Sequence, residues 1–166
     1  MQELSTGGAG KCKPHTFTIS VSASPSAGGT VSGGGTYSSG SMATVTATPN
    51  ACYSFVNWTE GDTVVSTSAS YTFTVTSDRT LVAHFALIQY TISASVSPSG
   101  GGTITGAGNY SCGSSVTLRA TAANSCFRFV AWLEGTSVAS TSATYTFTAN
   151  STRTLIADFH RSSECR

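Results

Sequence analysis

The feature that most constrains this chain is an internal repeat. Phe17-Thr18-Ile19-Ser20-Val21-Ser22-Ala23-Ser24-Pro25-Ser26 returns as Tyr90-Thr91-Ile92-Ser93-Ala94-Ser95-Val96-Ser97-Pro98-Ser99. Gly28-Gly29-Thr30-Val31 returns as Gly101-Gly102-Thr103-Ile104, and Tyr37 as Tyr110. After a one-residue insertion near Asn124, Cys52-Tyr53-Ser54-Phe55-Val56-Asn57-Trp58 matches Cys126-Phe127-Arg128-Phe129-Val130-Ala131-Trp132. The copies close on Arg79-Thr80-Leu81-Val82-Ala83-His84-Phe85 and Arg153-Thr154-Leu155-Ile156-Ala157-Asp158-Phe159. Well over half of the aligned positions are identical. Self-similarity at this period means one small supersecondary unit used twice. The expected organisation is a polar, Gly-rich tail (1–15), two repeat domains (16–86 and 87–159) and a short C-terminal tail (160–166).

Inside a copy the period is two. Phe17, Ile19, Val21 and Ala23 alternate with Thr18, Ser20 and Ser22, and the same holds for Ala43, Val45, Ala47, for Tyr71, Phe73, Val75, and for Leu81, Ala83, Phe85. Side chains of a strand point alternately to opposite faces, so each run has one dry and one wet side. Turn residues separate the runs: Pro25 with Gly28-Gly29, Gly33-Gly34-Gly35, Gly40, Pro49-Asn50, Glu60-Gly61 and Ser77-Asp78. The reading is all-β, with five to seven short strands per copy and Ala51 to Trp58 as the stretch least secure against a helix. Trp58 and Trp132, with Phe55 and Phe129, are expected at the core centres. The apolar Ala86-Leu87-Ile88-Gln89 linker favours two units packed end to end.

Composition excludes several functions. Charged residues make up only 9% of the 166, the formal net charge is +1, and 39% of residues are hydrophobic. Disorder requires low hydrophobicity with high net charge. Cations spread along the chain give no footprint for nucleic acid, and no apolar run is long enough for a transmembrane helix. The N-terminus from Met1 to Gly8 lacks the basic-then-apolar layout of a secretory signal, which leaves open either a removed signal or another route.

The order of a strand ending in Ser-Pro-Ser, a Gly-Gly-Thr-Val step, Gly-x-Tyr, an aromatic-x-Phe-Val-x-Trp segment and a Tyr-x-Phe-Thr strand leading to Arg-Thr-Leu-x-Ala-x-Phe resembles the divergent internalin-type B repeat. That family is akin to the Listeria-Bacteroides repeats of bacterial surface proteins. The resemblance covers nearly the whole chain, in two copies. It implies a small β-rich, β-grasp-like module used as stalk, spacer or adhesive element on extracellular proteins, with no catalytic residues and no cofactor to carry over. Cys52 and Cys126 depart from it, standing where the family often has Gly.

Residues with chemical potential are scattered. His15, His84 and His160 share no metal-ligand spacing, and His84 has Asp158 as its equivalent. Glu60 and Glu134 recur in a Trp-x-Glu-Gly step but belong to different copies, and are read as turn carboxylates. No base and acid group around a serine, and Gly33-Gly34-Gly35 lacks the Lys-Ser or Lys-Thr of a phosphate loop. It is read as a hairpin connection. Tyr37 and Tyr110, beside Gly-rich turns, are either packing residues or ring faces for a sugar. Asn57, Asn109 and Asn150 open N-glycosylation patterns, which are frequent by chance in a Ser/Thr-rich chain.

The five cysteines cannot all pair within the chain. Cys112 has only Ser39 as its counterpart, an asymmetry that suggests Cys112 with Cys126 and Cys12 with Cys52, leaving Cys165 for an intermolecular bond. Small buried thiols are the equal alternative.

These observations lead to an expected non-enzymatic structural module, extracellular or on a cell or virus-particle surface, acting as spacer, adhesion or assembly element. A carbohydrate-binding module and a phage decoration or filament subunit are the alternatives. The expected partners are other protein chains, through tails and edge strands, and surface glycans. Nucleic acid and membrane insertion are not expected.

Overall fold

Alternation of apolar and hydroxyl side chains can satisfy the backbone only if neighbouring strands pair, and the chain does this along its length. The computed structural model describes residues 14–165. The first copy contains β1 (Thr16–Ser24), β2 (Gly29–Ser32), β3 (Gly35–Ser38), β4 (Met42–Pro49), β5 (Tyr53–Glu60), β6 (Thr63–Ser66), β7 (Ser70–Thr74) and β8 (Arg79–Leu87). The second repeats them as β9 (Gln89–Ser97), β10 (Gly102–Thr105), β11 (Gly108–Ser111), β12 (Ser115–Ala122), β13 (Phe127–Glu134), β14 (Ser137–Ser140), β15 (Thr144–Thr148) and β16 (Arg153–Arg161). The chain divides into two compact units between Ala86 and Leu87.

Each unit is two sheets. In unit 1 a five-stranded sheet runs β3-β1-β8-β5-β6 and a three-stranded sheet runs β2-β4-β7. Unit 2 has the same orders, β11-β9-β16-β13-β14 and β10-β12-β15. The first and last strands of a unit pair in parallel, Val21 opposite Leu81 and Ala23 opposite Ala83, with the other pairs antiparallel where their register is defined. A parallel pair needs a long crossover, and here β2 to β7 supply it. The inner faces meet in one core per unit: Ile19, Trp58, Leu81, Ala83 and Phe85 from the large sheet face Ala43, Val45, Ala47 and Phe73 from the small one. The cover that a β-grasp provides with a helix is provided here by a second sheet, and the only helical element among the described residues is a 3-10 turn at Ser26–Gly28.

Outward positions of the small sheet carry hydroxyls. Thr44 Oγ1 lies 2.8 Å from Thr72 Oγ1, and Thr117 Oγ1 lies 3.0 Å from Thr146 Oγ1. Such cross-strand pairs suit β-branched residues, and the abundance of threonine is explained without charge.

The Gly-Gly-Thr step has a steric cause. A Cβ on Gly29 would lie 2.5 Å from Phe85 Cζ, and one on Gly102 would lie 2.5 Å from Phe159 Cζ, so the ring closing each unit needs bare backbone under it. Gly33 and Gly106 sit at φ of +95° and +100°, a region disfavoured for side chains. The Gly33–Gly35 segment is no hairpin, because β2 and β3 belong to different sheets. It carries the chain from one layer to the other.

Two further expectations change, and one open point is settled as strand. Each unit has eight strands rather than five to seven, because the four-residue strands β2, β3 and β6 are too short to show a period. The Ala51 to Trp58 stretch, least secure against a helix, is mostly β5. Its alternation fails because the register slips between Trp58 and Thr59, placing two adjacent residues out of water. Finally, the segment after 159 is no loose tail. β16 continues to Arg161, with His160 opposite Arg128 and Arg161 opposite Phe127, and the Ser162 amide donates to the Cys126 carbonyl at 2.8 Å.

Candidate functional site

Trp58 and Trp132 are fully buried. A buried indole N–H needs an acceptor, and each finds a backbone carbonyl, Ala69 at 3.1 Å and Ala143 at 3.3 Å. Phe55 packs edge-on to Phe85 at 6.0 Å between ring centres, and Phe129 does the same to Phe159 at 5.7 Å.

The recurring polar group that sequence reasoning missed is a clasp around an arginine. Arg79 Nε donates to Glu60 Oε2 at 2.5 Å and Nη1 to the Tyr71 hydroxyl at 3.2 Å, with the guanidinium 4.5 Å from the Phe73 ring centre. In unit 2, Arg153 Nε lies 3.1 Å from both Glu134 oxygens, Nη2 donates to Oε2 at 2.5 Å, Nη1 reaches Tyr145 at 3.2 Å, and Phe147 stacks at 4.5 Å. The glutamates are therefore the anionic halves of ion pairs, more than turn carboxylates. Hydrogen bonds from Arg153 hold the Glu134 carboxyl below its ordinary value, against the opposing effect of burial. Hydrogen bonding to Glu134, against burial, holds Arg153 further above its own ordinary value. Arg79 is raised as well: burial opposes, and the bonds to Tyr71 and Glu60 outweigh it. Sequence held the signal in the joint recurrence of Glu, Tyr and Arg at matching offsets. The clasp joins the end of β5 to β7 and β8 across the two sheets.

Tyr37 and Tyr110 serve the packing of their units. Both are half-buried against their cores, and their hydroxyls donate to the Gly33 and Gly106 carbonyls at 2.6 and 2.5 Å. The polar tip of each ring is thus used to tie down the crossover. The histidines are apart. His15 packs its ring edge against Phe17 at 4.7 Å, His84 Nε2 meets Thr59 Oγ1 at 2.8 Å, and His160 lies in β16. No three His, Cys, Asp or Glu side chains among the described residues are placed to hold a metal ion.

The expected cysteine pairing is also corrected. Cys126 bonds to Cys165, with Cα atoms 5.6 Å apart, so Cys165 is not left for an intermolecular bond. Cys112 follows β11, which is separated from β13 by β9 and β16. Three strand spacings of about 4.8 Å each exceed the Cα separation a disulfide tolerates, roughly 4.4 to 6.8 Å. Cys52 and Cys112 each take part in a disulfide, and Cys12 lies outside the described residues. Cys52 adopts a φ of +72°, the left-handed region where glycine is the easy choice.

The family model for the divergent InlB B-repeat domain matches residues 19–89 and again 92–163. No curated protein matches the chain. Among solved structures, the Bacillus anthracis TIE protein aligns with a TM-score of 0.41 and 10% identity, over 88% of this chain and 34% of that one. The chain thus spans about a third of that structure, and a likeness so distant carries no argument. The two family matches, each covering one unit of the repeat, show that the chain belongs to the divergent InlB B-repeat family as two tandem copies.

Proposed function

We propose that the chain is a non-enzymatic structural module of an extracellular or surface assembly, on a cell or a virus particle, where it acts as a spacer, adhesion or assembly element. Family membership and the oxidised cysteines support a surface setting, since disulfides persist in oxidising compartments. The observation that carries the non-enzymatic reading is the fate of the recurring polar groups. The Arg-Glu-Tyr clasps, the indole N–H groups and the Tyr37 and Tyr110 hydroxyls are each engaged within their own unit. What the two copies share is what holds the fold, and a catalytic group needs a free face toward substrate.

The partners in this reading are other protein chains, met through unpaired strand edges and the N-terminal segment. Strands β3, β6, β2 and β7 are sheet edges in unit 1, and an edge strand offers unpaired backbone groups to another chain. The test compares the intact chain with one lacking residues 1–13, by sedimentation with the parent assembly and by a glycan array. Loss of co-sedimentation with a folded spectrum and no neutral-glycan retention is the expected result. Unchanged assembly, or retention on neutral glycans, overturns it.

A further inference from the structure

Recurring residues of the two units hold the fold, so a residue present in one unit alone is free to do something else. One such difference sits at the C-terminal end of unit 2. A cavity of about 250 Å³ opens there between the start of β13 and the end of β16, with Arg128, His160, Ser125, Ser162 and Ser163 on its walls beside the Cys126 half of the disulfide. Arg128 and His160 are direct cross-strand partners. Among the described residues neither side chain enters an ion pair or a side-chain hydrogen bond. The nearest acids in sequence, Asp158 and Glu164, do not line the cavity. At the equivalent positions unit 1 has Ala51, Ser54 and Ala86, with no cation. The described part of unit 2 holds four arginines where that of unit 1 has Arg79 alone.

We infer that this cavity is a binding site for a compact oxyanion group, sulfate or phosphate, either free or carried on an acidic glycan. A guanidinium offers parallel N–H donors matched to two oxygens of such a group, and the imidazole and three hydroxyls supply further donors around it. The volume lies below the roughly 300 to 1,000 Å³ of sites for drug-sized ligands, which suits one small group entering from an exposed chain. The disulfide is part of the site. It fixes the turn carrying Ser162 and Ser163 against β13, so that the walls stay together only in the oxidised protein. The inference stands apart from the proposed scaffold role and survives if that role is wrong.

The test uses the full oxidised chain, with backbone amide shifts followed by NMR as sodium sulfate replaces sodium chloride at constant ionic strength. Saturable shifts are expected at 125–128 and 160–163, with none at 51–54. Arg128→Gln should weaken binding at least tenfold while the Trp132 indole signal stays in place. Cys165→Ser should weaken it similarly, and because that variant also loosens unit 2, Arg128→Gln is the deciding one. A sulfated disaccharide compared with its unsulfated form separates the sources. Binding of the sulfated sugar points to a glycan, and binding of inorganic sulfate alone points to a free ion. Linear shifts without saturation, equal shifts in unit 1, equal binding of the unsulfated sugar, or unchanged binding by Arg128→Gln would each overturn the inference.

Discussion

Unit 1 and unit 2 share a core and differ on the outer face of the large sheet and at their last strand. Thr59 and His84 form a hydrogen-bonded pair in unit 1, where unit 2 has Leu133 and Asp158. Asn57 of unit 1 keeps a side-chain oxygen buried without a partner, and its equivalent, Ala131, is simply buried. Cys126 is bonded within its own unit to Cys165. The difference teaches that the residues setting strand pairing and core shape tolerate little change, while the outer face and the unit end are open to divergence. Repetition thus works as an internal control: what recurs is structural, and what does not is either relaxed or specialised.

The largest expected effect tests the shared part. Trp58→Ala and Trp132→Ala should each cost about 3 to 5 kcal/mol, the range for emptying a large aromatic site in a core. Hydrogen exchange in the intact chain should show faster exchange of the strand amides of the mutated unit. Unequal losses of more than about 2 kcal/mol would break the equivalence of the cores.

Next comes the Cys126–Cys165 disulfide of unit 2. Closing a loop with a sequence separation of 39 stabilises by about 2 to 4 kcal/mol, mainly through the unfolded chain. Cys165→Ser should therefore lower the denaturant midpoint of unit 2 amides and leave unit 1 amides near their original values. Equal loss in both units would show that the bond is no local device.

The clasps give a smaller, pH-dependent difference. Glu134 has its carboxyl held low by the bidentate Arg153. A carboxyl whose folded value is depressed contributes stability that is fully present above its unfolded value, about 4.3, and is lost as pH falls through the folded value. Unit 2 should thus lose stability on acidification below about pH 4, and Glu134→Gln should flatten that loss. Both clasp glutamates are about two-fifths exposed, so solvent screening keeps the contribution under about 1 kcal/mol. A pH profile of unit 2 unchanged by the substitution would show the pair to be inert.

The smallest effect runs the other way. A buried acceptor without a partner costs desolvation, so Asn57→Ala, which copies unit 2 into unit 1, should be neutral or stabilise by up to about 1 kcal/mol. A loss above about 1 kcal/mol, measured by chemical denaturation, would mean that Asn57 is satisfied in solution and that the two outer faces are more alike than they look.

The repeat, the period of two, the all-β class and the family were legible in the sequence because each is a local or translational pattern. Phe17, Ile19 and Val21 reveal their shared face by spacing alone, and the Ser-Pro-Ser step marks a turn whose geometry is set by a few neighbouring residues, whereas the need for bare backbone at Gly29 comes from the distant Phe85 ring. Tertiary structure alone decided which strand lies beside which. Alternation names a face and leaves the neighbour open, so nothing in Gly33-Gly34 tells that β2 and β3 part into different sheets, or that β1 pairs in parallel with β8. The clasp and the Cys126–Cys165 bond follow from that placement: Arg79 and Glu60 meet because β8 lies beside β5, and Cys165 reaches Cys126 because β16 runs past Phe127. Contacts between residues distant in the chain depend on packing the two sheets over one core, and that packing is a property of the whole unit.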